Sequence, residues 1–256
     1  LLTLVERAVT LGMRAVISTN GTLIDRQMAE RLKDFGLSYV GISLDGTEAT
    51  HDRFRGEKGA FAAAMAGVRN CQEAGIKVGL RFTINKHNYQ EIPAIFDLID
   101  VMDIPRVCFY HLVYAGRGSR LVEAALSHDE TRGVVDLIMD RTADLFARGK
   151  PKEVLTVDNH ADGPYVYLRL KRENNPRAAE VLELLRMNEG NNSGRGIGCI
   201  SWAKLKDKKR YVTGRCATCR WLDVCGGNFR VRAEALTGDL WAPDPDCYLT
   251  EAEIAG

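Results

Sequence analysis

No stretch of the sequence is long and apolar enough to span a membrane. The longest apolar runs, such as Phe61–Val68, fall far short of the about 20 residues a spanning helix needs. Net charge is just as scarce. Lys and Arg number 35 against 34 Asp and Glu, leaving +1 with His neutral. That balance excludes an overall electrostatic drive toward nucleic acid or a membrane surface. Compositional bias is also missing, which argues against long disorder, a collagen repeat and a purely disulfide-stapled fold. No secretory leader is read at the start. Leu1 instead falls inside an amphipathic pattern (Leu4, Val5, Ala8, Val9), so the expectation is that chain continues upstream of it.

The sequence holds 256 residues, 45% apolar and 27% charged, the mix and length of one large domain or one domain with an appendage. Cysteine is distributed unevenly. Of seven (71, 108, 199, 216, 219, 225 and 247), five lie in the last 58 residues. An odd number, clustered and without a leader, points to metal in a reducing, cytoplasmic setting rather than to disulfides.

Up to about residue 158 two patterns alternate. Short apolar runs at 14–18, 38–44, 77–84, 107–113 and 153–157 predict strands. Helical spacing is read at 23–35, 61–74, 92–101 and 129–146, with Gly36 and Gly75 as stops. Repeated strand–helix units predict a parallel α/β sheet with right-handed crossovers, either a barrel or a doubly wound sheet. Beyond 158, one helix is read at 178–187, followed by the glycine-rich Gly190–Gly196 and a cysteine-rich tail.

The tail carries the sharpest signal: Cys216-x2-Cys219-x5-Cys225, with Cys247 returning after 21 residues. A CxxC turn aims two thiolates at one centre, and four thiolates suit tetrahedral zinc or an iron–sulfur cluster. Three local cysteines and a distant fourth favour the cluster. Gly226-Gly227 fits a backbone packed against a bulky group. Cys199 is open between ligand and core thiol, and Cys71 and Cys108 read as core.

In a parallel α/β fold, chemistry gathers at the carboxyl ends of strands. Polar residues there are Ser18-Thr19-Asn20, Ser43 and Asp45, Arg81, Thr83 and Asn85, His111 with Tyr114 and Gly116-Arg117-Gly118, and Asp158 to Asp162 around His160. Each has a plainer reading as a turn, a cap or a satisfied core group. His51, His87 and His128 read as solvated, as does the Lys204–Arg210 run.

Together these residues resemble a known superfamily. Ser18-Thr19-Asn20-Gly21, then Ser43-Leu44-Asp45-Gly46 with His51-Asp52-Arg53-Phe54-Arg55, then Gly59-Ala60-Phe61, is similar to the body of radical S-adenosylmethionine (SAM) enzymes. The terminal cysteines resemble that superfamily's auxiliary-cluster (SPASM or twitch) extension. Thr156–Gly163, Gly194–Trp202 and Arg215–Val231 narrow the likeness to its members in heme d1 biosynthesis and alternative heme synthesis. The resemblance implies a partial (β/α)6 barrel over residues 1–160, a connecting segment at 161–198 and a small cysteine-rich extension at 199–256. It implies that a reduced cluster passes one electron to SAM, and that the 5′-deoxyadenosyl radical so formed takes a hydrogen atom from the substrate.

By the same resemblance Thr19, Asn20, Ser43, Asp45 and Arg81 attend SAM, with Arg81 pairing its carboxylate. Cys216, Cys219, Cys225 and Cys247 hold an auxiliary 4Fe–4S cluster. Arg117, His111 and His160 meet a siroheme-derived tetrapyrrole that loses propionate side chains, with Tyr114, Tyr165 and Tyr167 as aromatic walls. A flavodoxin or ferredoxin supplies electrons. The family's CxxxCxxC and Gly-Gly-Glu-Pro stretches are absent, and the resemblance puts them, with a second 4Fe–4S cluster, upstream of Leu1. Only 16 residues separate Cys199 from Cys216, so a break in the sequence is expected near Trp202–Ala203. A sibling enzyme removing other tetrapyrrole side chains, a peptide-maturing relative and a non-catalytic four-cysteine zinc module are the alternatives.

Overall fold

The computed structural model describes residues 1–187 and 207–255, with the side chains of residues 117, 119 and 120 set aside. Cys199, the Gly190–Gly196 run, the Gly194–Trp202 stretch and the Trp202–Ala203 break therefore lie outside the described residues.

Five parallel strands form an open sheet in sequential order: β1 (Val16–Thr19), β2 (Tyr39–Ser43), β3 (Val78–Thr83), β4 (Arg106–Tyr110) and β5 (Glu153–Val157). The helices are α1 (Leu2–Thr10), α2 (Arg26–Asp34), α3 (Glu48–Arg55), α4 (Ala60–Glu73), α5 (Ile92–Val101) and α6 (His128–Ala147). Each forms for a local reason. Asp25 caps α2 by accepting the Met28 N–H at 2.7 Å, which satisfies one orphan donor of the first turn. The Asp52 carboxylate accepts the N–H groups of Gly59 (2.6 Å) and Phe61 (2.8 Å), and so fixes the corner between α3 and α4.

Register separates the two faces of the sheet. Ile42, Leu80 and Val107 are aligned neighbours, as are Phe82 and Phe109, and all are 0% exposed. Phe96 of α5 stacks on Phe109 at 5.5 Å. On the other face Ser18, Gly41, Gly79 and Arg106 form one row, and Ser43, Arg81 and Cys108 another. That face carries Ser18, Ser43, Arg81 and Arg106 among small residues. The α/β class and parallel sheet expected from the sequence are present, with five strands in an open sheet among the described residues. Polar α3 has no apolar period to announce it, and the helix α7 (Asp162–Arg172) opens with Asp162-Gly163-Pro164, which reads as a turn although proline is tolerated in a first helical turn.

The packing resolves into two compact units. One comprises residues 1–110 and 136–155, the other residues 111–135 and 156–256. A cut at residue 160 assigns 111–135 and 156–160 to the barrel, whereas the packing assigns them to the tail. In this second unit α7 and α8 (Ala178–Met187) precede short helices α9 (Leu222–Cys225), α10 (Arg230–Thr237) and α11 (Glu251–Ala255).

Candidate functional site

In the first unit the strand-end residues are held by one another. Thr19 Oγ1 accepts the Gly21 N–H at 3.1 Å, and Asn20 Oδ1 accepts the Thr22 N–H at 3.3 Å. The turn packs on Gly67 of α4, where any Cβ would run into the Gly21 carbonyl oxygen. Asp45 is buried and pairs with Arg55 at 2.6 Å. Its N–H donates to His51 Nδ1 at 3.0 Å. His51 is therefore not solvated but 1% exposed. Burial lowers its proton affinity, with the Asp45 charge opposing and the Arg55 charge reinforcing. Asn88 donates to the Asp45 and Thr83 carbonyls, 2.9 Å each, and Glu91 accepts from the Thr47 N–H and the Thr50 hydroxyl.

Ser43 and Arg81 are half-buried and adjacent in register. Arg81 lies over the Tyr110 ring at 4.4 Å, a cation–π contact. Among the described residues no ion pair to Arg81 within 4 Å is seen.

In the second unit Cys216, Cys219, Cys225 and Cys247 line one small cavity, partly open to solvent, together with Arg215, Gly227, Leu249 and Ile254. None is in a disulfide. Backbone N–H groups point at the sulfurs: Trp221 reaches Cys219 Sγ at 3.4 Å, Gly227 and Asn228 reach Cys225, and Leu249 reaches Cys247. Such donors favour thiolate. Burial still pushes the Cys225 thiol up to about 11 and the Cys247 thiol to about 12. Among the described residues no group of three or more His, Cys, Asp or Glu side chains is gathered closely enough to hold a metal ion. Four sulfurs lining one cavity suit tetrahedral zinc or an iron–sulfur cluster by donor type. The Gly227 backbone has φ +82°, and a Cβ there would meet Val212 Cγ1 at 2.7 Å, so glycine is required at this wall.

A buried polar network surrounds that cavity within the same unit. His160, 3% exposed, donates from Nδ1 to the Cys225 carbonyl at 3.0 Å, and its N–H reaches Asn228 Oδ1 at 2.8 Å. Burial, reinforced by the charge of Lys208, lowers its proton affinity to about 4. It is neutral at pH 7 and fastened to the backbone, a poor general acid–base but a firm strut. Lys208 donates to the Asn228 carbonyl at 2.9 Å, so this part of the basic run is not a solvated face. Arg232 is 0% exposed and meets Asp244 through two nitrogens, at 3.0 and 2.7 Å, and the Asp158 carbonyl at 2.6 Å. Asp158 has φ +70°, an uncommon conformation that aspartate tolerates.

His111 is buried and bonded to Asp162. Tyr114 donates to Asp246 at 2.9 Å, and Tyr165 packs edge-on against Tyr248 at 5.3 Å. These two tyrosines are interior supports rather than open aromatic walls. Tyr167 sits against Trp221 at 5.4 Å. Arg117 lies in the nine-residue 3₁₀ helix Gly116–Ala124, and its side chain lies outside the described residues. Sequence reading missed Arg232, Asp244 and Tyr248; only the place of Tyr248 beside Cys247 could have drawn attention.

A family model described as the radical SAM superfamily matches residues 1–99. An Fe-coproporphyrin III synthase from Methanosarcina barkeri is 58% identical, over 95% of this chain and 70% of its own. A pre-heme d1 synthase from Dinoroseobacter shibae is 40% identical, over 99% of this chain and 72% of its own. Streptococcus suis SuiB bound to precursor peptide SuiA superposes with a TM-score of 0.67 at 14% identity, over 97% of this chain and 62% of that one. At that identity the likeness concerns the fold alone. Among the described residues no helix is long and apolar enough to cross a membrane.

Proposed function

Given that the chain belongs to the radical SAM superfamily, we propose that it acts on an iron tetrapyrrole of the heme pathway, removing side chains from a siroheme-derived substrate. The observation that carries this reading is the 58% identity to a protein named Fe-coproporphyrin III synthase, against 40% to one named pre-heme d1 synthase. It favours the sibling reaction, acetate removal ending in Fe-coproporphyrin III, over propionate removal toward heme d1.

When bound, SAM and a reduced 4Fe–4S cluster supply one-electron hydrogen-abstraction chemistry, and this chain's residues do the positioning. Arg81, without a carboxylate partner among the described residues, pairs with the SAM carboxylate, and Ser43 beside it donates a hydrogen bond. The Thr19-Asn20 turn borders the same strand ends, and Asp45 acts through Arg55 and His51 to hold its loop. His111 contacts substrate, with Arg117 for a substrate carboxylate. His160 is a positioning residue for the Cys225 turn.

The tail cysteines hold an auxiliary 4Fe–4S cluster. Support comes from four thiols lining one cavity, with backbone N–H groups donating to Cys219, Cys225 and Cys247, and from the sequence spacing of three local cysteines and a distant fourth. Electrons come from a cytoplasmic flavodoxin or ferredoxin. The test is anaerobic turnover of the full-length protein with siroheme-derived tetrapyrroles, read by mass spectrometry. Fe-coproporphyrin III as product supports the reading, a heme d1 precursor shifts it to the propionate reaction, and unchanged tetrapyrrole alongside SAM cleavage contradicts it.

A further inference from the structure

Two arginines on α10, two residues apart, are buried for different reasons. Arg232 has carboxylate partners in Asp244 and Asp246. Arg230, 5% exposed, has none within 4 Å among the described residues. Its guanidinium donates to the carbonyls of Leu240 (3.1 Å), Ala242 (2.6 Å) and Gly227, and its Nε has no hydrogen bond. Carbonyl dipoles satisfy donors but do not cancel a full charge, and a buried cation without a counter-charge is strongly destabilising. A negative charge held close to the guanidinium would offset that cost.

The geometry identifies that anion. Gly227 lines the cysteine cavity. Its N–H donates to the Cys225 thiol, while its carbonyl accepts from Arg230. A single residue thus separates the guanidinium from a ligand sulfur. Negative charge on Cys216, Asp244 or Cys225 would stabilise the guanidinium, and Asp244 is already engaged by Arg232.

We propose that Arg230 is the buried counter-charge of the tail cluster and raises its reduction potential. The proposal rests on the reading that Cys216, Cys219, Cys225 and Cys247 hold a 4Fe–4S cluster. Reduction adds one electron, and hence one negative charge, to the thiolate-bound group, and a fixed cation one residue away stabilises that added charge more than the oxidised form.

The experiment uses full-length protein reconstituted anaerobically with iron and sulfide. Dithionite supplies the single electron, and the signal followed by electron paramagnetic resonance is the one that Cys219→Ala removes. Arg230→Gln, with iron content equal to the parent, is expected to lower the reduction equilibrium constant at least tenfold, or about 59 mV for a one-electron couple. Arg230→Lys, which keeps the charge, is expected to stay near the parent. Should Arg230→Gln fail to fold, Ala242→Asp, which adds a carboxylate on a residue whose carbonyl the guanidinium holds, is expected to shift the potential the same way. An unchanged potential in Arg230→Gln, or in Ala242→Asp where that variant replaces it, overturns the proposal and leaves the cluster reading standing. If the parent shows no signal that Cys219→Ala removes, the cluster reading itself fails.

Discussion

His111 Nε2 stands 2.9 Å from Asp162 Oδ2, and both side chains are only 8% exposed. The other oxygen of Asp162 accepts the Tyr248 hydroxyl at 2.6 Å, so the carboxylate is held from two sides. Burial acts to raise the Asp162 carboxyl, but His111 together with the hydrogen bonds from Thr156 and Tyr248 outweighs it and leaves the acid below its ordinary range. A buried carboxylate in this position accepts from Nε2–H and fixes the orientation of the imidazole.

Asp162→Asn keeps the shape and removes that fixed acceptor. Turnover is expected to fall at least about tenfold, the scale of a lost oriented acid–base group, while SAM affinity stays unchanged. Steady-state rates with calorimetric SAM binding check this, and an unaltered rate contradicts a role for His111 at the substrate.

Arg232 ties α10 to the Asp244 and Asp246 segment and to the Asp158 carbonyl. Arg232→Met leaves two carboxylates uncompensated in the interior. Loss of one partner of a buried ion pair costs about 3–5 kcal/mol, and urea denaturation is expected to show a loss of that size. The double variant Arg232→Met with Asp244→Asn is expected to lose less than the sum of the single variants.

The neutral state of His160 makes stability depend on pH. Its proton affinity sits near 4 when folded and about 6.5 when unfolded. The unfolded chain therefore binds the proton first, and stability present above pH 6.5 is lost as pH falls toward 4. The full effect is about 3 kcal/mol. Denaturation of the iron-free chain across that window, compared with His160→Gln, is expected to show a slope that the variant lacks.

Gly67 lets α4 lie directly on the Gly21 carbonyl. In Gly67→Ala the added methyl meets backbone, which cannot rotate away. Overpacking of this kind costs about 1–3 kcal/mol, and the displaced Thr19–Gly21 turn is expected to weaken SAM binding, measured by calorimetry. A lowered melting temperature with unchanged SAM affinity separates a packing role from a role at the cofactor.

The sequence was legible where short-range rules govern. The strands announced themselves as β-branched apolar runs, and the spacing of Cys216, Cys219 and Cys225 brought three thiols to one turn, with Cys247 completing the cavity. The silent features depend on contacts between distant residues. His51 reads as a polar loop residue, yet packing around the Asp45 loop buries it. Arg232 looks like one more charge on an exposed helix, yet its partners are Asp244, 12 residues away, and Asp158, 74 residues away. His160 was visible as part of a crowded strand end, but not its bond to the Cys225 carbonyl, which turns a candidate proton carrier into a strut.

Iron counting on full-length protein, reconstituted anaerobically and compared with Cys219→Ala and Cys247→Ala, is the sharpest test of the tail. Four iron atoms fewer in each variant, with any SAM-cleaving cluster intact, is the expected result. Equal iron in parent and variants, or zinc in place of iron, contradicts a cluster held by these four cysteines.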